Sequence, residues 1–112
     1  MKEKSQTQNF LGTFEELVLL AVLKLGNDGY GVTIAETIEE ATGKSIAIGA
    51  LYTTLSRLEE KGFVSSRIGE ATEERGGRAK KYYQIEANGK EAIENTYKVK
   101  SKFYKQLIPQ FG

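Results

Sequence analysis

One segment constrains the fold of this chain more than any other, because its two sides differ so strongly. Residues 48–61 place Ile48, Leu51, Tyr52, Leu55 and Leu58 at the i, i+3, i+4, i+7 spacing of an amphipathic helix. Gly62 follows as a stop signal. The opposite side has no bulky apolar group and consists of Gly49, Ala50, Thr53, Thr54, Ser56, Arg57, Glu60 and Lys61. The pattern predicts a helix that is seated in the core on one side and slim enough to approach a partner on the other.

Two more helices are predicted before this segment. Thr13 opens a capping-box pattern before an apolar run, so a first helix is expected over residues 14–25. Its apolar residues cover most of the circumference, which fits either a central core helix or a helix that is covered partly by a second subunit. The Gly- and Asn-containing residues 26–31 form a turn by composition, and a second helix follows over residues 32–41, with Gly43 as its stop.

The chain after Gly62 predicts two strands and a long helix. Residues 63–68 and 81–85 have strand-like patterns, and the charged, Gly-containing segment 69–80 between them has the composition of an exposed hairpin tip. A helix is expected over residues 87–108, ending at Pro109. Its apolar rows are too long for a chain of this size to cover by itself, so self-association is expected.

Composition narrows the class of protein. The chain has no Cys and no His, which excludes disulfides, thiolate and imidazole chemistry and the usual zinc sites, and neither a cofactor nor a metal is expected. Its acidic residues form no convergent pair, so we expect no enzyme. No apolar run approaches the roughly 20 residues that span a bilayer, and residues 1–9 are polar, so no membrane partner and a cytoplasmic location are expected.

Charge is distributed unevenly, although the formal net charge is only +1. Residues 1–40 carry three basic and seven acidic side chains, whereas residues 41–112 carry thirteen and eight. The imbalance favours an anionic partner for the second part, and ordinary surface variation is the alternative. We expect a mobile arm over residues 1–10, a DNA-binding domain over 11–86 and a dimerisation helix over 87–112.

The order of these elements is the plan of a winged helix-turn-helix, which is mainly α with a two-stranded β wing, followed by a C-terminal dimerisation helix. Such a fold puts its third helix into the major groove of double-stranded DNA. The predicted DNA-binding residues lie in that helix, the turn before it and the wing: Lys44, Ser45, Gly49, Ala50, Thr53, Thr54, Arg57, Arg78, Lys80 and Lys81. A role without DNA is the alternative for several of these residues. Gly49 and Ala50 suit helix-start packing, Arg57 suits an exposed pair with Glu60, and the wing cations are offset by Glu70, Glu73 and Glu74.

Several motifs resemble the PadR family of bacterial transcriptional regulators, over nearly the whole chain from Leu11 to Leu107. They are Gly12 with Glu15 or Glu16, Gly29-Tyr30-Gly31, Gly49-Ala50-Leu51-Tyr52 with Leu55 and Arg57-Leu58-Glu59, Lys61-Gly62-Phe63-Val64, and Gly77-Arg78-Ala79-Lys80-Lys81-Tyr82-Tyr83 with Gly89. The single helix after the wing is similar to the compact subgroup that includes multidrug-responsive repressors.

The resemblance implies a homodimer in which the last helix packs against the first helix of the partner, a palindromic operator, and repression that a small-molecule effector relieves. The dimerisation residues are then Leu17, Leu20, Ile93, Tyr97, Phe103, Tyr104 and Leu107. A winged-helix interaction module without DNA binding is the alternative function.

Three positions depart from the family pattern. Ala47 replaces a frequent capping Ser, Thr53 replaces a frequent Pro, and Glu86 replaces a Thr before the last helix. The drug-binding members stack ligands on a Trp that this chain lacks, so any pocket must differ. Tyr52 is expected to pack in the core, and the alternative is that its hydroxyl reaches a phosphate at the helix surface.

Overall fold

The structure is a computed structural model that describes residues 10–69, 79–108 and 110. Three helices come first, α1 over Thr13–Leu25, α2 over Gly31–Thr42 and α3 over Ile48–Glu60. Strands β2 (Val64–Ile68) and β3 (Lys81–Ile85) follow, and α4 spans Ala87–Leu107. All the predicted helices and strands are therefore present. The predicted N-terminal arm and the tip of the wing lie almost entirely outside the described residues.

The sheet has three strands and not two, which corrects the sequence-based prediction. Within the segment interpreted as a turn, residues Gly26–Asp28 form a 3-10 turn and Gly29–Tyr30 form strand β1. Strand β1 pairs antiparallel with β3, through Gly29 with Tyr83 and Tyr30 with Tyr82, so the strand order is β1-β3-β2. A strand of two residues has no alternation to detect, which is why the sequence pattern missed it.

The core lies where the first three helices meet the sheet. Val18, Leu19 and Val22 of α1, Ile34 and Ile38 of α2, and Leu51, Leu55 and Leu58 of α3 are all buried. On α1 the apolar residues that remain exposed are Leu20 and Leu23. The first helix is thus buried on one side and leaves an apolar strip in solvent.

The buried stripe of α3 is rotated relative to the predicted one. Ile48 and Tyr52 were expected to face inward, but they are 52% and 44% exposed. Thr54, which was expected on the outer side, is only 7% exposed and belongs to the buried stripe with Leu51, Leu55 and Leu58. The i, i+3, i+4, i+7 spacing therefore holds for residues 51, 54, 55 and 58. A threonine can occupy this inner row because it has a methyl group to pack.

The buried residues of α4 all lie in its first half. Gly89 and Ala92 are buried, and Thr96 accepts a hydrogen bond of 3.0 Å from the Leu11 amide. Beyond Thr96, no residue of α4 is buried. No helix among the described residues is long and apolar enough to span a membrane.

Candidate nucleic-acid interface

The turn between α2 and α3 is held by hydrogen bonds that involve its backbone. Gly43 adopts a left-handed conformation with φ of 74°, and its amide donates to the Glu39 carbonyl. The Lys44 amide donates to Thr42 Oγ1 at 3.2 Å, and the Ile46 amide donates to Glu39 Oε2 at 2.9 Å. These bonds fix the position of α3 relative to α2. Lys44 and Ser45, both predicted to contact DNA, are exposed in this turn beside the start of α3.

The exposed residues of α3 are Ile48, Gly49, Ala50, Tyr52, Thr53, Ser56, Arg57 and Glu60. We call Gly49, Ala50, Thr53, Ser56 and Arg57, which carry no bulky apolar side chain, the reading face. At Gly49, an added Cβ would meet no atom within 4 Å. The N-cap residue Ala47 makes no side-chain hydrogen bond to the first turn of the helix. The amides of that turn are left for solvent or an anion, and the helix dipole favours negative charge at this end.

Arg57 is the cation of the reading face and lies at its C-terminal end. No described carboxylate lies within 4.0 Å of its guanidinium, so the alternative of a pair with Glu60 is not realised among the described residues. Its neighbour Lys61 is instead paired with Glu15, at 2.8 Å between Nζ and Oε2. Burial raises the pKa of Glu15, but the hydrogen bonds from Lys61 and the Gly12 amide and the positive charge of Arg57 outweigh it and lower the pKa overall.

The structure does not place Thr54 on the reading face. Its side chain lies in the buried row of α3, so the prediction that Thr54 contacts DNA is corrected. Tyr52 takes an exposed position next to the reading face, and its ring lies against Gly31 at the start of α2. The hydrophobic spacing did not reveal this exchange because Thr54 and Tyr52 are both compatible with half-buried positions.

The base of the wing brings cations and aromatic rings together. Lys80 Nζ lies 3.8 Å from the centre of the Tyr30 ring, and the Arg67 guanidinium lies 4.6 Å from the centre of the Tyr82 ring. The two rings meet edge to face at 5.4 Å. Sequence reasoning missed Tyr30 and Arg67, although the run Lys80-Lys81-Tyr82-Tyr83 was a signal for contacts between cations and rings.

Lys81 is exposed on β3, and its ammonium lies near a carboxylate and an aromatic ring. Its Nζ lies 3.9 Å from Glu59 Oε1 and 5.6 Å from the centre of the Tyr83 ring. Burial, together with the charge of Glu59, raises the pKa of Tyr83. Arg78, the third predicted wing residue, lies outside the described residues. The described parts of the interface therefore combine the reading face, the turn at Lys44 and Ser45, and the wing base at Lys80 and Lys81.

The predicted dimerisation residues divide into two groups. Leu17 and Ile93 are half-buried and pack against the core, whereas the others are exposed: Leu20, Tyr97, Phe103, Tyr104 and Leu107. Lys100 ties α4 to α1 through Glu16, at 2.9 Å between Nζ and Oε1. That hydrogen bond raises the pKa of Lys100.

A helix-turn-helix packed against a sheet whose β2–β3 hairpin extends beside the second of its helices defines a winged helix-turn-helix protein. The chain belongs to the PadR-like family of transcriptional regulators, whose family model matches residues 19–95. The resemblance noted from its motifs is thereby confirmed. A comparison with curated proteins gave no match.

Solved structures of two transcription regulators and of a further bacterial protein share the fold. A PadR-like transcription factor from Bacteroides fragilis is 23% identical over 100% of both chains, with a TM-score of 0.71. A PadR family transcription regulator from a hypervirulent Clostridium difficile is 26% identical over 88% of this chain and 97% of its own, with a TM-score of 0.65. A Streptococcus mutans protein is 31% identical over 81% of this chain and 78% of its own, with a TM-score of 0.65.

Proposed function

We propose that this transcriptional regulator binds DNA in a sequence-specific manner, as a homodimer, and represses transcription. The observation that carries the proposal is the reading face of α3. It is exposed, it carries no bulky apolar side chain, and its Arg57 has no described carboxylate within 4.0 Å. A helix with such a face fits a major groove that is about 12 Å wide.

Each part of the interface has a distinct task in this proposal. Arg57 reads a base edge or binds a phosphate, and Thr53 contributes a hydroxyl to the same groove. Gly49 and Ala50 let the backbone approach the DNA, while Lys44 and Ser45 contact phosphates beside the helix. Arg78, Lys80 and Lys81 place the wing along the DNA backbone, with Arg78 retained from its place in the sequence.

An equilibrium titration tests the proposal. Fluorescence anisotropy of labelled duplexes, drawn from the region upstream of the gene and from a random library after selection, is measured at several salt concentrations. We expect a selected palindrome to bind more tightly than random DNA and to show a steep loss of affinity with salt. Arg57→Ala should cost about 1–3 kcal/mol of binding free energy if Arg57 reads a guanine.

The matched control is Lys102→Ala. This change also removes one positive charge, but from an exposed position on α4 away from the reading face. A bulk electrostatic effect would weaken both variants equally and would contradict the role of Arg57. Equal binding of selected and random duplexes would contradict sequence-specific recognition, and it would favour the alternative of a winged-helix protein-interaction module.

The apolar face of α4 supports the homodimer. The stripe that contains the buried residues Gly89, Ala92 and Thr96 continues along the helix as Phe103 and Leu107, which are 59% and 72% exposed. These positions share one side of the helix because it turns 100° per residue. Large apolar side chains in a continuous row are expected to be covered by a partner.

A groove between α1 and α2 can receive part of that helix from a second copy of the chain. This groove has a volume of about 170 Å³ and is lined by Leu17, Leu20, Ala21, Lys24, Thr37, Ile38 and Ala41. Sedimentation velocity should give a dimer for the wild type, and Phe103→Glu with Leu107→Glu should give monomers. Lys102→Glu changes charge on the other side of α4 and should leave the dimer intact, whereas a monomeric wild type contradicts the proposal.

Repression and its relief by a small-molecule effector are proposed from the family resemblance, not from a described ligand site. A reporter driven by the selected operator distinguishes a repressor from an activator, because deletion of the gene raises expression in the first case and lowers it in the second. Small molecules that release the protein from the operator in the anisotropy assay would identify the effector.

A further inference from the structure

A cleft lies where the helix-turn-helix meets the wing, between the start of α2, the side of α3 and the start of β3. It has a volume of about 330 Å³ and is lined by Tyr30, Gly31, Val32, Tyr52, Lys80 and Lys81, with Ala79 at its edge. We call it the wing cleft. It opens to solvent beside the reading face, because both Tyr52 and Val32 are about half exposed.

The wing cleft carries positive charge and polar donors without a described acidic residue in its lining. The Tyr30 ring holds the ammonium of Lys80, with Nζ 3.8 Å from the ring centre, which restricts a side chain that would otherwise be mobile. The ammonium of Lys81 is 3.9 Å from Glu59, a loose contact on the exposed edge that a stronger anion can replace.

Gly31 makes room for the third donor of the wing cleft. The Tyr52 hydroxyl lies where a side chain on residue 31 would begin, so the ring can fold onto α2 only because residue 31 has no Cβ. Lys80, Lys81 and Tyr52 therefore line one space that is open to solvent. Tyrosine and lysine side chains on a surface of this kind are frequent donors to nucleic-acid phosphates.

We propose that the wing cleft binds a backbone phosphate of the DNA that occupies the reading face, with Lys80, Lys81 and Tyr52 as its donors. Tyr30 is a positioning residue, because its ring holds the Lys80 ammonium. The inference rests on the proposed function and deepens it, because it joins Tyr52 and Tyr30 with the wing lysines in one phosphate site. One such contact on each protomer fixes the register of α3 on the duplex.

The test uses the full chain and its selected operator, with two substitutions that keep the shape of the wing cleft. Tyr52→Phe removes the hydroxyl alone, and we expect about a tenfold loss of affinity, as for a hydrogen bond to a charged group. Lys80→Gln should flatten the slope of log affinity against log salt by about one for each protomer bound. Lys80→Arg should restore the slope, because arginine keeps the charge and the contact with Tyr30. Lys102→Gln is the matched control.

Methylphosphonate substitution then locates the phosphate. Operators with one neutralised phosphate at each position are titrated with the wild type and with Lys80→Gln. At the position that faces the wing cleft, neutralising the phosphate should weaken the binding of the wild type. The same neutralisation should not weaken the binding of Lys80→Gln any further. Additive losses at every position would overturn the assignment. Thermal unfolding confirms that each variant is folded.

Three results distinguish a failure of the wing cleft proposal from a failure of the proposed function. If the wild type binds the operator but Tyr52→Phe and Lys80→Gln bind as tightly, the wing cleft proposal fails and the proposed function stands. If the wild type binds no duplex, both fail. If inorganic phosphate shifts the amide resonance of Gly31 in the free protein while DNA affinity is unchanged in both variants, the wing cleft binds a free anion and the DNA assignment is overturned.

Discussion

The hydroxyl of Tyr52 lies so close to the α-carbon of Gly31 that a methyl group at residue 31 would overlap with it. The atom in the way belongs to the far end of a side chain that is 44% exposed, so the ring can swing into solvent. An alanine in the first turn of α2 also removes the entropic cost of a glycine there. In Gly31→Ala, the overlap with the Tyr52 ring therefore lowers the stability of the fold, whereas the smaller loss of backbone entropy on folding raises it.

Gly31→Ala should change the free energy of unfolding by less than about 1 kcal/mol, since the entropic gain offsets the displaced ring. It should nevertheless weaken operator binding as much as Tyr52→Ala does, and the double variant should bind no worse than either single one. Urea unfolding and anisotropy measure the two effects. Additive losses in the double variant would show that the ring position does not matter.

Gly89→Ala should destabilise the fold, in contrast to Gly31→Ala. A Cβ at residue 89 would overlap with the main-chain carbonyl of Phe63, and a backbone atom cannot rotate out of the way. We expect a loss of about 1–3 kcal/mol of unfolding free energy, because α4 must shift away from the sheet. Gly49→Ala is the control in another helix, since a Cβ there meets nothing within 4 Å, and it should not destabilise the fold. Equal stability of the two variants would contradict the close approach of α4.

The helix boundaries were predictable because local signals set them. Gly43 and Gly62 take positive φ at helix ends, and the apolar periods between such stops are long enough to read. Strand β1 and the rotation of α3 were not predictable in this way. Strand β1 exists because Gly29 and Tyr30 pair with residues more than fifty positions later, and no local pattern encodes that pairing.

The residues of the candidate site were likewise predictable where residue type and element order decide their place, and not where packing between elements does. Arg57, Lys44 and Lys81 were predicted from residue type and from the order of elements, and all three are exposed; their contact with DNA stays a prediction. Thr54 and Tyr52 were assigned to the wrong sides of α3, because a missing Cβ on a different helix decides where Tyr52 lies. Contacts of this kind depend on packing between elements, which a single helix pattern does not contain.

At Ala47, one substitution should make the fold more stable and at the same time weaken operator binding. It is the N-cap of α3 and makes no capping hydrogen bond. Ala47→Ser and Ala47→Asp should each raise the free energy of unfolding by about 0.5–2 kcal/mol, because the new oxygen accepts from a free amide of the first turn. Ala47→Asp should also weaken operator binding, since it puts a negative charge beside the proposed phosphate contacts, whereas Ala47→Ser should not. Equal DNA affinity of the two variants would argue against phosphate near this helix end.

Thr96 joins the segment before α1 to the middle of α4. It is fully buried and accepts the hydrogen bond from the Leu11 amide. Thr96→Val keeps the shape but leaves that amide without its acceptor, so we expect a loss of about 1–3 kcal/mol of unfolding free energy. Thr96→Ser keeps the hydroxyl and should protect the Leu11 amide from hydrogen exchange, as the wild type does. Similar exchange rates at Leu11 in the valine and serine variants would contradict this role.

The ion pair between Glu15 and Lys61 gives the fold a dependence on pH. The pKa of Glu15 is lower in the folded chain than its usual value of 4.5, so its contribution is present above pH 4.5 and is lost as the pH falls through the folded pKa. Both side chains are partly exposed, which limits the contribution to about 1 kcal/mol or less. Glu15→Gln should therefore be less stable than the wild type at pH 7, and the difference should shrink below pH 4.5. Lys61→Gln should lose only part of this increment, because the Gly12 amide and Arg57 also favour the ionised Glu15. Glu36→Gln, an exposed change on α2, should follow the wild type. A stability difference for Glu15→Gln that stays constant down to pH 3 would show that the hydrogen bonds of Glu15 do not depend on its charge.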